Sequence, residues 1–119
     1  IEQGLIARPA FYNMVVGQIG AIPATPRHTL FLIESLPPGS LWELTGHSGH
    51  DLQAGVWAIA LGGHGRAGFE DNIFYNPGRR GMSNAQLVER LARIAREAGR
   101  AIASPAEARQ ILGLPTGND

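Results

Sequence analysis

Cysteine and lysine are both missing from this 119-residue chain, and all ten basic residues are arginine. Without cysteine there is no disulfide framework and no thiol nucleophile. Without lysine no Schiff base forms on this chain, and no P-loop lysine holds a phosphate. Net charge of one sign is also absent, since ten acidic residues balance the arginines. The chain as a whole offers no electrostatic footprint for nucleic acid or an anionic membrane surface. Its apolar runs are too short to span a bilayer, and no signal peptide pattern opens it. A soluble, cytoplasmic chain is the expectation. The first residue is Ile1 rather than methionine, which leaves two readings: processing, or a piece of a longer protein.

What is present alternates between strand and helix signals. Residues 11–16 are aromatic and β-branched and end at Gly17, which predicts a strand. Thr25-Pro26 is an N-cap followed by proline at the first helical position, and Pro37-Pro38-Gly39 stops that helix. Residues 41–45 form the next strand, with Trp42 and Leu44 on one face and Glu43 and Thr45 on the other. The loop Gly46-His47-Ser48-Gly49-His50 leads to Asp51, read as an N-cap, and to an apolar helix that ends at Gly62-Gly63. A third strand over residues 65–70 follows, then the polar turn-rich stretch 76–81. Ser83 and Gln86 make a capping-box pattern before a helix with an apolar stripe from Leu87 to Ala98. Glu89, Arg90, Arg93, Arg96 and Glu97 form that helix's expected solvated side. Ser104-Pro105-Ala106-Glu107 starts a short last helix closing at Gly113.

This order is the grammar of βαβ units and a parallel sheet. Each strand has one apolar face and one polar or small face, whereas strands of an open doubly wound sheet are apolar on both. Polar inner faces suit a (β/α)8 barrel, whose sites lie at the C-terminal rim. Three strands cannot close a barrel and leave two unpaired edges. The fold class expected is therefore α/β. Residues 1–119 are read as the C-terminal βα units, about three strands, of a single TIM-barrel domain, in an incomplete chain.

The stretch His64-Gly65-Arg66-Ala67-Gly68-Phe69-Glu70-Asp71-Asn72 is the chemical centre of the chain. A strand over 65–70 places Arg66, Gly68 and Glu70 on one face and Ala67 and Phe69 on the other. An arginine and a carboxylate at a strand end, spaced by glycine, build a site better than a core. The plain alternative is a structural ion pair between Glu70 and Arg66. His47 and His50, in His-Ser-Gly-His, read as solvated loop residues, with a poor metal pair or a substrate contact as the alternative, because a glycine loop does not fix two rings as a helix does. His64 reads as a helix-to-strand joint. Gly17-Gln18-Ile19-Gly20 lacks the spacing of a dinucleotide loop and reads as a plain loop or a weak phosphate cradle.

Residues 62–72 resemble the late motif of the β-keto acid cleavage enzymes, whose type member is the 3-keto-5-aminohexanoate cleavage enzyme. The similarity continues through Ser83-Asn84-Ala85-Gln86-Leu87-Val88 and Ser104-Pro105-Ala106-Glu107-Ala108-Arg109, and upstream through residues 20–26. The resemblance implies a zinc-dependent (β/α)8 barrel that exchanges a β-keto acid with acetyl-CoA, giving acetoacetate and a new acyl-CoA. It implies Glu70 as the carboxylate zinc ligand and Arg66 with Asp71 as the catalytic pair. The family's two histidine ligands lie in an early His-x-His strand. This chain contains no His-x-His, so those ligands are expected upstream of it and the isolated segment is expected to be inactive. The loop 46–51 also departs from the family, with Gly49 and Asp51 where arginine and glutamine are expected. The partners implied are a small β-keto acid and a CoA thioester, in a homo-oligomer. Two other readings stand beside this one: a metal-dependent barrel aldolase or lyase that does not use CoA, and an inactive fragment without a metal site.

Overall fold

The computed structural model describes residues 9–115; Ile1 lies outside them. Strands β1 (Phe11–Val16), β2 (Leu41–Gly46) and β3 (His64–Arg66) form a parallel sheet in the order β1-β2-β3. Helix α1 (Pro26–Glu34) joins the first pair and α2 (Asp51–Ala60) the second. Two short antiparallel strands, β4 (Phe74–Asn76) and β5 (Arg79–Arg80), precede α3 (Asn84–Glu97) and α4 (Pro105–Ile111). Among the described residues no helix is long and apolar enough to cross a membrane.

The caps read from sequence act as expected at most helix starts. The Thr25 hydroxyl accepts the His28 amide, and Ser104 with Glu107 forms a complete reciprocal box. The Ser83 hydroxyl accepts the Gln86 amide, but the Gln86 side chain accepts from Met82 rather than from Ser83. Helix α2 differs. Asp51 is its first helical residue, not its N-cap; His50 occupies the cap and makes no side-chain cap bond. The stretch 76–81, read as a polar turn-rich loop, holds the turn and second strand of the β4–β5 hairpin. Pro77 presets its turn and Gly78 takes φ +76°, the pattern of a type II turn.

The core lies on one side of the sheet. Met14, Val16, Trp42 and Leu44 pack with Ala54 and Ala58 of α2, with Leu32 and Ile33 of α1 against them. Two of the glycines make close approaches. A Cβ on Gly63 would lie 2.3 Å from the Trp42 ring, and one on Gly65 would lie 3.3 Å from the Gly55 Cα of α2. The opposite side carries the polar rows. Asn13 pairs with Glu43 and Glu43 with His64; Val15 pairs with Thr45 and Thr45 with Arg66. Thr45 donates to the Asn13 amide oxygen at 2.9 Å, tying the two rows together.

Candidate functional site

Arg66 is the last residue of β3 and stands beside Thr45 at the C-terminal end of the sheet. The strand ends there, not at residue 70. The Gly68 carbonyl accepts the amides of both Asp71 and Asn72 at 3.1 Å, which bends the chain into a turn. Phe69 donates its amide to the Asn84 side chain at 2.8 Å. The expected alternation of Arg66, Gly68 and Glu70 along one strand face therefore does not form. Two glycines and these local bonds favour the turn over continued sheet pairing.

The turn still brings the three expected residues together. Arg66 Nη2 donates to Glu70 Oε2 at 2.6 Å, and Arg66 Nε lies 3.3 Å from Asp71 Oδ2. One guanidinium thus faces two carboxylates in different surroundings. The Glu70 side chain is 80% exposed and that of Asp71 only 10%. Asp71 Oδ2 is buried and accepts no aligned hydrogen bond. The Asp71 carbonyl accepts the Ser48 amide at 3.1 Å, so the β2–α2 loop braces this turn.

Glu70 and Asp71 line a groove of about 360 Å³ together with His47, Ser48 and Gly49. A second groove of about 300 Å³ shares Gly49, Asn72 and Phe74 with it and runs toward the hairpin. His47 Nδ1 bonds the Ser48 hydroxyl at 2.7 Å, while the His50 ring packs on the open side of Gly17. The two rings are thus held by different partners. Among the described residues no three His, Asp or Glu side chains gather to hold a metal. The loop after β1 closes on itself, with the Gly17 amide on the Ile22 carbonyl and the Ala21 amide on the Gln18 carbonyl.

The sequence reading missed a buried polar cluster behind the turn. Asp51 Oδ1 accepts from Asn72 Nδ2 at 2.6 Å, and Asp51 Oδ2 accepts from Arg90 Nη2 at 2.9 Å. Arg90 also donates to the Tyr75 carbonyl and lies over the Tyr75 ring, 4.4 Å from its centroid. Arg90 is 4% exposed, which corrects its expected place on the solvated side of the helix. The usable signal was spacing: Arg90 falls between Leu87 and Ile94, on the apolar stripe itself. On the outer side, Arg93 donates to the Tyr75 hydroxyl at 3.4 Å. That hydrogen bond, helped by the charges of Arg93, Arg90 and Arg79, holds the Tyr75 phenol below its ordinary pKa.

Comparison with known proteins adds to this geometry. A family model described as beta-keto acid cleavage enzyme matches residues 1–114. The chain is 45% identical over 113 residues to a 3-keto-5-aminohexanoate cleavage enzyme of Fusobacterium nucleatum, covering 95% of this chain and 41% of that protein. A protein of the same name from Acetoanaerobium sticklandii is 42% identical over the same shares. The 3-oxoadipate:acetyl-CoA acetyltransferase of Cupriavidus necator is 33% identical, over 97% of this chain and 42% of its own length. The chain spans about two fifths of the length of these curated relatives.

Proposed function

Because this chain belongs to the beta-keto acid cleavage enzyme family, we propose that it is part of an enzyme cleaving a β-keto acid by exchange with acetyl-CoA. The products are acetoacetate and a new acyl-CoA. The relatives' names support both the cleavage and the thioester. In this reading the three βα units are late units of a (β/α)8 barrel, with the polar rows of Asn13, Glu43, Thr45 and Arg66 facing its interior. A cytoplasmic homo-oligomer is part of the same proposal.

The observation that carries the reading is the Arg66 guanidinium set between Glu70 and a buried, under-bonded Asp71. Breaking a carbon–carbon bond beside a carbonyl leaves enolate charge, and a fixed cation lowers that barrier. Arg66 is held in place for this role. Asp71 lines the groove beside Arg66, where its carboxylate is proposed to take and return a proton. Glu70, exposed on the groove, is the proposed carboxylate ligand of a zinc ion. A catalytic zinc takes three protein ligands. The described residues alone do not fit one, since they gather no such set. In this proposal Glu70 is one ligand, beside the two histidines that the family resemblance implies upstream of this segment. The chemistry of the chain's own residues runs through Arg66 and Asp71.

The test is product analysis on the protein that carries this chain, with and without acetyl-CoA. Acetoacetate and a new acyl-CoA are expected together, only when acetyl-CoA is supplied. Asp71→Asn is expected to lower kcat by about 10²- to 10⁴-fold, the range for a lost general acid–base group. Cleavage that proceeds without a thioester overturns the proposal. Zinc content unchanged by Glu70→Gln overturns the ligand assignment.

A further inference from the structure

We infer that Asp51, Asn72 and Arg90 form a positioning clamp that holds the turn at 68–72, and with it Asp71, against Arg66. The inference rests on the proposed role of Asp71. Three separate parts of the chain meet in the clamp: the first residue of α2, the end of the turn, and the middle of α3. Asp51 is 2%, Arg90 4% and Asn72 7% exposed.

Asn72 is the joint between clamp and turn. Its Nδ2 donates to Asp51 Oδ1 at 2.6 Å and to the Phe74 carbonyl at 2.7 Å, while its Oδ1 accepts the Phe74 amide at 3.1 Å. One side chain therefore ties the backbone at Phe74 to the buried carboxylate that opens α2. Asp71, one residue earlier, does not position itself. Among the described residues its side chain pairs only with Arg66, at 3.3 Å, and its buried Oδ2 accepts no aligned hydrogen bond. Its aim must come from the backbone. That backbone is held by the Gly68 carbonyl and the Ser48 amide on one side and by Asn72 on the other.

Stability is a weak reason to bury such a pair. The desolvation of a carboxylate and a guanidinium offsets most of their attraction, and apolar residues of similar volume fill such space at least as well. What an apolar filling cannot do is fix two helices and a turn at hydrogen-bond precision. Arg90 joins α3 to α2 and β4 with one planar fork, one arm on Asp51 and the other on the Tyr75 carbonyl, and Asp51 carries the link on to Asn72 in the turn.

The test compares Asn72→Ala and Arg90→Lys with Met14→Ala, a core change in β1 remote from the turn, at matched thermal midpoints. Two readouts are taken on the protein that carries this chain. The first is hydrogen exchange of the Ser48, Asp71 and Asn72 amides, which needs no turnover. The clamp variants are expected to lose protection at these amides while β1 and β2 stay protected, and Met14→Ala to keep it. The second is kinetics. The clamp variants are expected to lose about 10- to 100-fold in kcat, the scale of a misplaced catalytic group, with KM for acetyl-CoA changed less than about twofold. Protection unchanged in both clamp variants overturns the inference, as does a kcat equal to that of Met14→Ala. If the unaltered protein shows no acetyl-CoA-dependent cleavage, the reading of the reaction fails and the exchange result alone decides the clamp.

Discussion

At the residue scale, Arg66 and Arg90 show how burial changes what an ion pair does. The Arg66–Glu70 pair is open to water on the Glu70 side, and exposed pairs contribute about 0–1 kcal/mol. In metal-free protein Glu70→Gln is therefore expected to shift the unfolding free energy by less than about 1 kcal/mol in denaturant titration. A larger loss would make Glu70 a structural residue. Arg66→Lys keeps the charge but cannot reach both carboxylates with two separate nitrogens. It is expected to lower kcat by about 10²-fold, the cost of one misplaced stabilising donor. Asp51→Ala leaves Arg90 charged and buried without its carboxylate, and the expected cost is about 3–5 kcal/mol, measured by the same titration. Tyr75 offers a test of the surface electrostatics. Its phenol is lowered mainly by the Arg93 hydrogen bond, so Arg93→Gln should move phenolate formation back to higher pH in an absorbance titration. The grouping of Arg66, Glu70 and Asp71 was legible because it is local in sequence. The clamp was not, because Asp51 and Arg90 are 39 residues apart and only the fold brings them together.

At the scale of elements, short-range rules read well and long-range ones poorly. Strand β1 ends at Val16, before Gly17, and α1 starts after Thr25, because a glycine and a cap act on their immediate neighbours. Strand β3 was read too long: its alternation continues in the sequence, but the Gly68 carbonyl captures two amides that a strand would have left for its neighbour. The hairpin β4–β5 was missed for a related reason. Its arms are three and two residues long, too short to show a period, although Pro77-Gly78 marked the turn. The caps give direct predictions. Ser83→Ala removes the acceptor for the Gln86 amide and is expected to cost about 1 kcal/mol in stability. The Glu107 carboxyl is held below its ordinary pKa, chiefly by the Ser104 amide it accepts. A carboxyl lowered on folding adds stability that is present above its unfolded pKa and lost as pH falls through the folded one. Amide protection in the first turn of α4 should therefore fade on acidification in wild type. In Glu107→Gln, which keeps the bond but does not titrate, that protection should stay flat with pH.

At the scale of the whole molecule, the sheet is a strip with one covered side. Helices α1 and α2 sit on the Leu44 side, and the polar rows occupy the other. Among the described residues, β1 and β3 each pair on one edge only. Open parallel edges template association. A polypeptide of these 119 residues is therefore expected to self-associate as its concentration rises, and light scattering that reports a monomer throughout would contradict this. The alternation of apolar and polar faces was legible in Trp42, Glu43, Leu44 and Thr45; which strand neighbours which was legible only from the rule that successive βαβ strands lie side by side. The contact between Gly65 and Gly55 has a wider consequence. A slip of β3 by one place would swap Gly65 for Arg66 and drive a guanidinium into the backbone of α2, where there is no room even for a methyl group without adjustment. The bare Gly55–Gly65 contact thus acts against a one-place slip and keeps the arginine among the polar rows.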